Sequence, residues 1–137
     1  MNTTRLRNFY LESQVYNSSP GQRLIMLYDG LIQQAEALEA HLAKPSDPVE
    51  LASAGQTVSR SIDILTELTG SLRFEVDPVL CGTLHDLYVF FTREFSASYE
   101  SKNPKRIRPI LNLIRELRKA WASAEKSPSR LQAVEAA

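Results

Sequence analysis

This chain predicts an all-α fold, an antiparallel up-down four-helix bundle, on three observations. Apolar residues recur at a helical period over four stretches of roughly twenty residues. Proline-bearing breaks separate those stretches. No stretch carries a sustained period of two or an Asn-Gly turn, so strands are not expected. Short connections between long helices make consecutive helices antiparallel neighbours.

The first helix opens at Ser18-Ser19-Pro20-Gly21, where serine caps free amides and proline suits the first turn. Leu24, Leu27, Leu31, Leu38 and Leu42 follow at helical spacing and are expected in the core. Ile25, Tyr28 and Ile32 form a second stripe beside them. Lys44-Pro45-Ser46-Asp47-Pro48 ends this helix and opens the next. There Leu51, Val58, Ile62, Leu65 and Leu72 share a face, with Gly55 and Thr69 completing the heptad spacing. Asp77-Pro78 breaks the pattern and caps a third helix with the stripe Leu80, Leu84, Leu87, Phe91 and Phe95. After Lys102-Asn103-Pro104 the fourth helix carries Ile107, Ile110, Leu111, Ile114, Leu117 and Trp121, and Pro128 ends it. The expected organisation is an N-terminal arm over 1–17, a bundle over 18–127 and a flexible tail over 128–137. The arm holds Phe9, Tyr10, Leu11, Val15 and Tyr16 with no heptad of its own, and is expected to fold over the bundle as a cap.

A chain of 137 residues suits one domain that buries a core without staples. Lysine plus arginine equals aspartate plus glutamate, 16 against 16. Without a basic excess the chain lacks the charge that phosphate backbones require, so no nucleic-acid partner is expected. The single cysteine, Cys81, forms no internal disulfide and reads as a small buried apolar residue, which permits a reducing compartment. Met1 to Pro20 has no apolar signal stretch, and no run reaches the length of a membrane span. The expected address is therefore the cytoplasm, with no membrane insertion.

Catalytic and metal chemistry finds little support. A di-metal site in a bundle needs Glu-x-x-His on facing helices. Here Leu38 precedes His41 by three residues and Gly82 precedes His85. Two histidines and one cysteine leave a structural zinc short of ligands. His85 reads as a helix-face residue rather than a phosphotransfer site, with Tyr88 three residues on and Asp86 opposing phosphate by its charge. Glu67, Glu75, Asp77, Asp86 and Glu94 read as solvated carboxylates. There is no P-loop, GxGxxG or GxSxG pattern. A non-enzyme without metal or cofactor is expected. Lys102, Lys105, Arg106, Arg108, Arg115, Arg118 and Lys119 stand against Glu116 on the fourth helix and its turn. A solvated face is the favoured reading there, and a steering patch for an acidic client the alternative.

Two segments carry a resemblance. One is Tyr10-Leu-Glu-Ser-Gln14-Val15, then Ser19-Pro20-Gly21, then Leu27-Tyr28-Asp29-Gly30 on the first helix. The other is Leu84-His-Asp-Leu87-Tyr88, followed by Leu117-Arg118-Lys-Ala120-Trp121 near the end of the fourth. Together they resemble the FliS family of flagellar secretion chaperones over about residues 8 to 125. The pattern departs at Val89-Phe90-Phe91, where members often continue Leu-Tyr with Asp-Tyr, and at Tyr16-Asn17, where Asn-Thr often follows Gln-Val. The resemblance implies an export chaperone. Its client is the C-terminal segment of flagellin, disordered before assembly, which it would keep from polymerising early. It would then present the client to the flagellar export gate.

Apolar residues beyond one face per helix agree with this. Such surplus is covered by the arm, by a partner or by a second copy. The expected client groove is Ile25, Tyr28 and Ile32 on the first helix, Ile64 and Leu68 on the second, and Val89 and Phe90 on the third. Tyr10 and Val15 of the arm either cap it or touch the client. Leu27, Leu65, Leu87 and Ile114 are assigned to the core. The free chain is expected as a monomer or weak homodimer. The alternative function is a self-associating helical scaffold without a flagellin client.

Overall fold

The computed structural model describes residues 19–124 and 133–134. Its elements are α1 (Pro20–Leu42), α2 (Pro48–Gly70), α3 (Pro78–Ser101), a 3-10 turn (Pro104–Arg106) and α4 (Ile107–Ala124). There is no strand among the described residues. The bundle is all-helical, as the periodicity predicts.

α1, α2, α3 and the 3-10 turn that leads into α4 each start where an acceptor side chain precedes proline. Ser19 accepts from the Gln22 amide at 3.2 Å, and Gln22 Oε1 accepts the Ser19 amide at 3.0 Å, a reciprocal capping box. Asp47 accepts from Val49 and Glu50, Asp77 from Leu80, and Asn103 from Lys105. Proline follows each of these caps, so its missing N–H is one that no helical partner would have used. The helices thus begin within a residue or two of the breaks visible in the sequence.

Cross-helix partners fall in opposite sequence order. Asp29, Glu36 and Glu39 of α1 meet Arg118, Arg115 and Arg108 of α4, so these two helices run against each other. At the α1–α2 turn His41 Nδ1 meets Glu50 at 2.6 Å. Gly55 of α2 faces Tyr99 of α3, where an added Cβ would lie 3.2 Å from the phenol oxygen. The absent side chain there lets the Tyr99 ring cross closely.

The core stripes are Leu24, Tyr28, Leu31, Ala35, Leu38 and Leu42 on α1, and Ala54, Val58, Leu65 and Leu68 on α2. On α3 they are Cys81, Leu84, Tyr88, Phe91 and Phe95, and on α4 Ile107, Ile110, Leu111, Ile114 and Trp121. Thr57 and Ser61 are also buried on α2, and each hydroxyl donates to the carbonyl one turn back, at 2.9 and 2.8 Å. Small residues whose polar atoms are satisfied within their own helix let α2 sit close to its neighbours.

The stripes correct the expected register. Leu27 and Leu87 are half-buried, and Tyr28 and Tyr88 take the central positions instead. Leu65 and Ile114 are buried as expected. The tail, expected to be loose, contributes two buried residues. Ala133 and Val134 are 2% and 1% exposed, and the Ala133 carbonyl accepts from the Arg73 amide at 2.8 Å.

Candidate functional site

The segments singled out in the sequence meet in space. Tyr28 of Leu27-Tyr28-Asp29-Gly30 and Tyr88 of Leu87-Tyr88 share a buried hydroxyl–hydroxyl hydrogen bond of 2.6 Å. The Trp121 ring lies 6.4 Å from the Tyr28 ring, tilted by 57°. Asp29 accepts from Arg118 Nε at 2.6 Å. Positions more than ninety residues apart thus form one cluster that locks α1 to α3 and α4.

The tyrosine pair explains how two phenols enter a core. Each hydroxyl satisfies the other, so neither is left unpaired in an apolar setting. Burial pushes both phenols above the ordinary tyrosine range. A group raised on folding contributes stability that is complete below its unfolded pKa, about 10 for tyrosine, and that is lost as pH climbs toward the folded value. The unfolding midpoint is therefore expected to hold to about pH 10 and fall above it, and circular dichroism melts across that range check this. Tyr28→Phe alone strands the Tyr88 hydroxyl and is expected to cost about 1–3 kcal/mol, whereas Tyr28→Phe with Tyr88→Phe is expected near neutral. A double-mutant cycle by chemical denaturation measures the coupling.

These findings divide the expected client residues. Tyr28 and Leu68 are each 0% exposed and belong to the core, which corrects their assignment to the groove. Ile25, Ile32 and Ile64 are partly buried against the core, and Ile64 faces Gly30. Val89 and Phe90 are exposed, at 38% and 42%. Tyr10 and Val15 lie outside the described residues. The set is therefore not one surface. Val89 stands about 200° around α3 from Leu87, on another side of the helix.

An open groove occurs instead between α3 and α4. It has a volume of about 590 Å³ and is lined by Leu80, Thr83, Leu84 and Leu87 on one side and Leu117, Ala120, Trp121 and Ala124 on the other. Val76, Asp77 and Ala133 close one end. Phe90 follows Thr83 and Leu87 at i+7 and i+3, and Leu113 precedes Leu117 and Ala120 by four and seven residues, also helical spacings. Both are exposed, at 42% and 43%, and extend the apolar lining beyond the groove itself. From Leu80 to Phe90 this face is about 15 Å long, room for three turns of an incoming helix.

Sequence reading missed this site because its residues sat inside the expected core stripes. Leu80, Leu87 and Leu117 are half-buried edges of those stripes. The available sign was Leu113, Leu117, Ala120 and Ala124, a second stripe on α4 one position off the core register.

The four arginines of α4 and its turn are used within the fold. Arg106 pairs with Glu94 at 3.0 Å, Arg115 with Glu36 at 2.8 Å and Arg118 with Asp29 at 2.6 Å, while Arg108 pairs with Glu39. Exposed pairs of this kind add little to stability. Among the described residues no three His, Cys, Asp or Glu are placed to hold a metal ion. Nor is any described helix long and apolar enough to cross a membrane.

Comparison with known proteins agrees with the first reading. The family described as "Flagellar protein FliS" matches residues 2–128. The flagellar secretion chaperone FliS of Vibrio cholerae serotype O1 (strain ATCC 39315 / El Tor Inaba N16961) is similar to the chain at 24% identity over 125 residues, 91% of this chain and 89% of that protein. A match running almost end to end, on a helical bundle whose Tyr28, Tyr88 and Trp121 meet in one cluster, leads to one conclusion: the chain belongs to the FliS family of flagellar chaperones.

Proposed function

We propose that this protein is a cytoplasmic export chaperone that binds the disordered C-terminal segment of flagellin, prevents its premature polymerisation and delivers it to the flagellar export apparatus. The observation that carries this reading is the α3–α4 groove, apolar along its walls and extended by exposed Phe90 and Leu113. Family membership supports the chaperone role, and the similar Vibrio cholerae protein bears the name flagellar secretion chaperone.

The groove suits an amphipathic segment that folds as it binds. The client's apolar face enters between α3 and α4, and its polar face stays in water. No bond is made or broken. The free energy comes from apolar burial less the client's ordering, so a large interface gives only moderate affinity, which suits a cargo that must be released.

Mixing the chain with the C-terminal segment of flagellin tests the proposal. A one-to-one complex in size-exclusion chromatography is expected, with a change in the emission of Trp121, the only tryptophan and a wall of the groove. A concentration-dependent homodimer indifferent to flagellin would instead mark a self-associating scaffold.

The arm is proposed to cap client-binding surface when flagellin is absent. Deleting Met1 to Gln14 is then expected to tighten flagellin binding and raise self-association. Weaker binding after deletion would place Tyr10 in contact with the client. Calorimetric titration separates the two.

A further inference from the structure

We propose that the C-terminal tail is a built-in competitor for the α3–α4 groove: Ala133 and Val134 occupy its end in the free protein and leave when the client enters. This inference rests on the chaperone reading of the same groove.

Three observations place the tail there. Val134 is 1% exposed within the apolar core cluster. The Ala133 carbonyl accepts from the Arg73 amide at 2.8 Å and from the Cys81 thiol at 3.5 Å, which ties the tail to the α2–α3 loop and the first turn of α3. Ala133 is itself a lining residue of the groove, beside Val76, Leu80 and Trp121. A client helix running the full length of the groove would meet the tail at this end.

Among the described residues the attachment is one valine, one alanine and the Ala133 carbonyl. A contact of this size closes the site only part of the time. The apparent dissociation constant of a competing client is then its intrinsic value divided by the fraction of molecules with the tail out. The tail lowers affinity without touching the client, and it re-covers Cys81 and the groove end after release. It also shields apolar surface that would otherwise be bare in the empty chaperone.

Two variants test this: a chain truncated after Pro128, and full-length Val134→Asp, whose carboxylate disfavours the buried position while leaving the chain length intact. The probe is the C-terminal segment of flagellin, titrated calorimetrically. Both variants are expected to bind about 3–10-fold tighter than the parent. The lone thiol Cys81, 0% exposed beneath Ala133, is expected to react faster with a thiol reagent in both variants without client. Equal or weaker client binding by both variants overturns the proposal. So does a fall in melting temperature without any gain in affinity, the mark of a purely structural plug. If none of the three forms binds flagellin, the chaperone reading fails and the competition with it, and faster Cys81 labelling would still report that the tail was docked.

Discussion

Leu68→Ala is expected to lower the free energy of unfolding by about 2–5 kcal/mol, because it empties a position sealed on every side. Leu68 is 0% exposed on α2. Truncation removes buried methyl groups and leaves a void that a close-packed bundle closes only in part. Chemical denaturation measures the loss. The matched control is Ile64→Ala, one turn earlier and only partly buried against the core. It is expected to cost less, since its neighbours and solvent relax into the space. Equal losses at both positions would contradict the burial difference. A stable Leu68→Ala protein that has lost only flagellin binding would restore Leu68 to the client surface.

Phe90→Asp and Leu113→Asp are expected to weaken flagellin binding by about 10–100-fold each, with each tenfold equal to about 1.4 kcal/mol. Both side chains are more than two-fifths exposed in the free protein, so folding does not depend on their burial. In the complex each aspartate would place a charge against the client's apolar face, where desolvation opposes it. The unfolding free energy is expected to stay within about 0.5 kcal/mol of the parent, as for surface substitutions away from special features. Val89→Asp separates the surfaces. Val89 is comparably exposed but lies on another side of α3, and its substitution is expected to leave affinity nearly unchanged. If Val89→Asp weakens binding as strongly as Phe90→Asp, the client contacts the outer face of α3 rather than the groove.

Much of the architecture was legible in the chain itself. Ser19-Pro20, Asp47-Pro48, Asp77-Pro78 and Asn103-Pro104 mark the starts of the helical segments. Caps and proline act within one turn, and local chemistry of that range is written in the sequence. The family resemblance was legible for a related reason. Tyr28, Asp29, Tyr88, Arg118 and Trp121 are distinctive residues whose spacing along the chain survives whatever they do in space.

The division of each helix into core and surface was not legible in the same way. Tyr28 and Leu27 are adjacent, both apolar enough to be buried, and differ by only 100° around α1. Tyr28 enters the core because Tyr88, sixty residues on, supplies the partner for its hydroxyl. Without that partner the buried phenol would be unfavourable, and the leucine register would be the better one. The groove depended on packing in the same manner. Leu80, Leu87 and Leu117 look like core residues from their period, and in the packed bundle they border an opening between α3 and α4. The tail is the clearest case. Nothing in Ala133-Val134 sets it apart locally from its alanine-rich surroundings, and only the Arg73 amide that pairs with it and the apolar end of the groove give it a place. Period and punctuation specify helices through contacts a few residues long, whereas register, groove and tail depend on which distant side chain satisfies which buried group, and that is settled only when the helices pack.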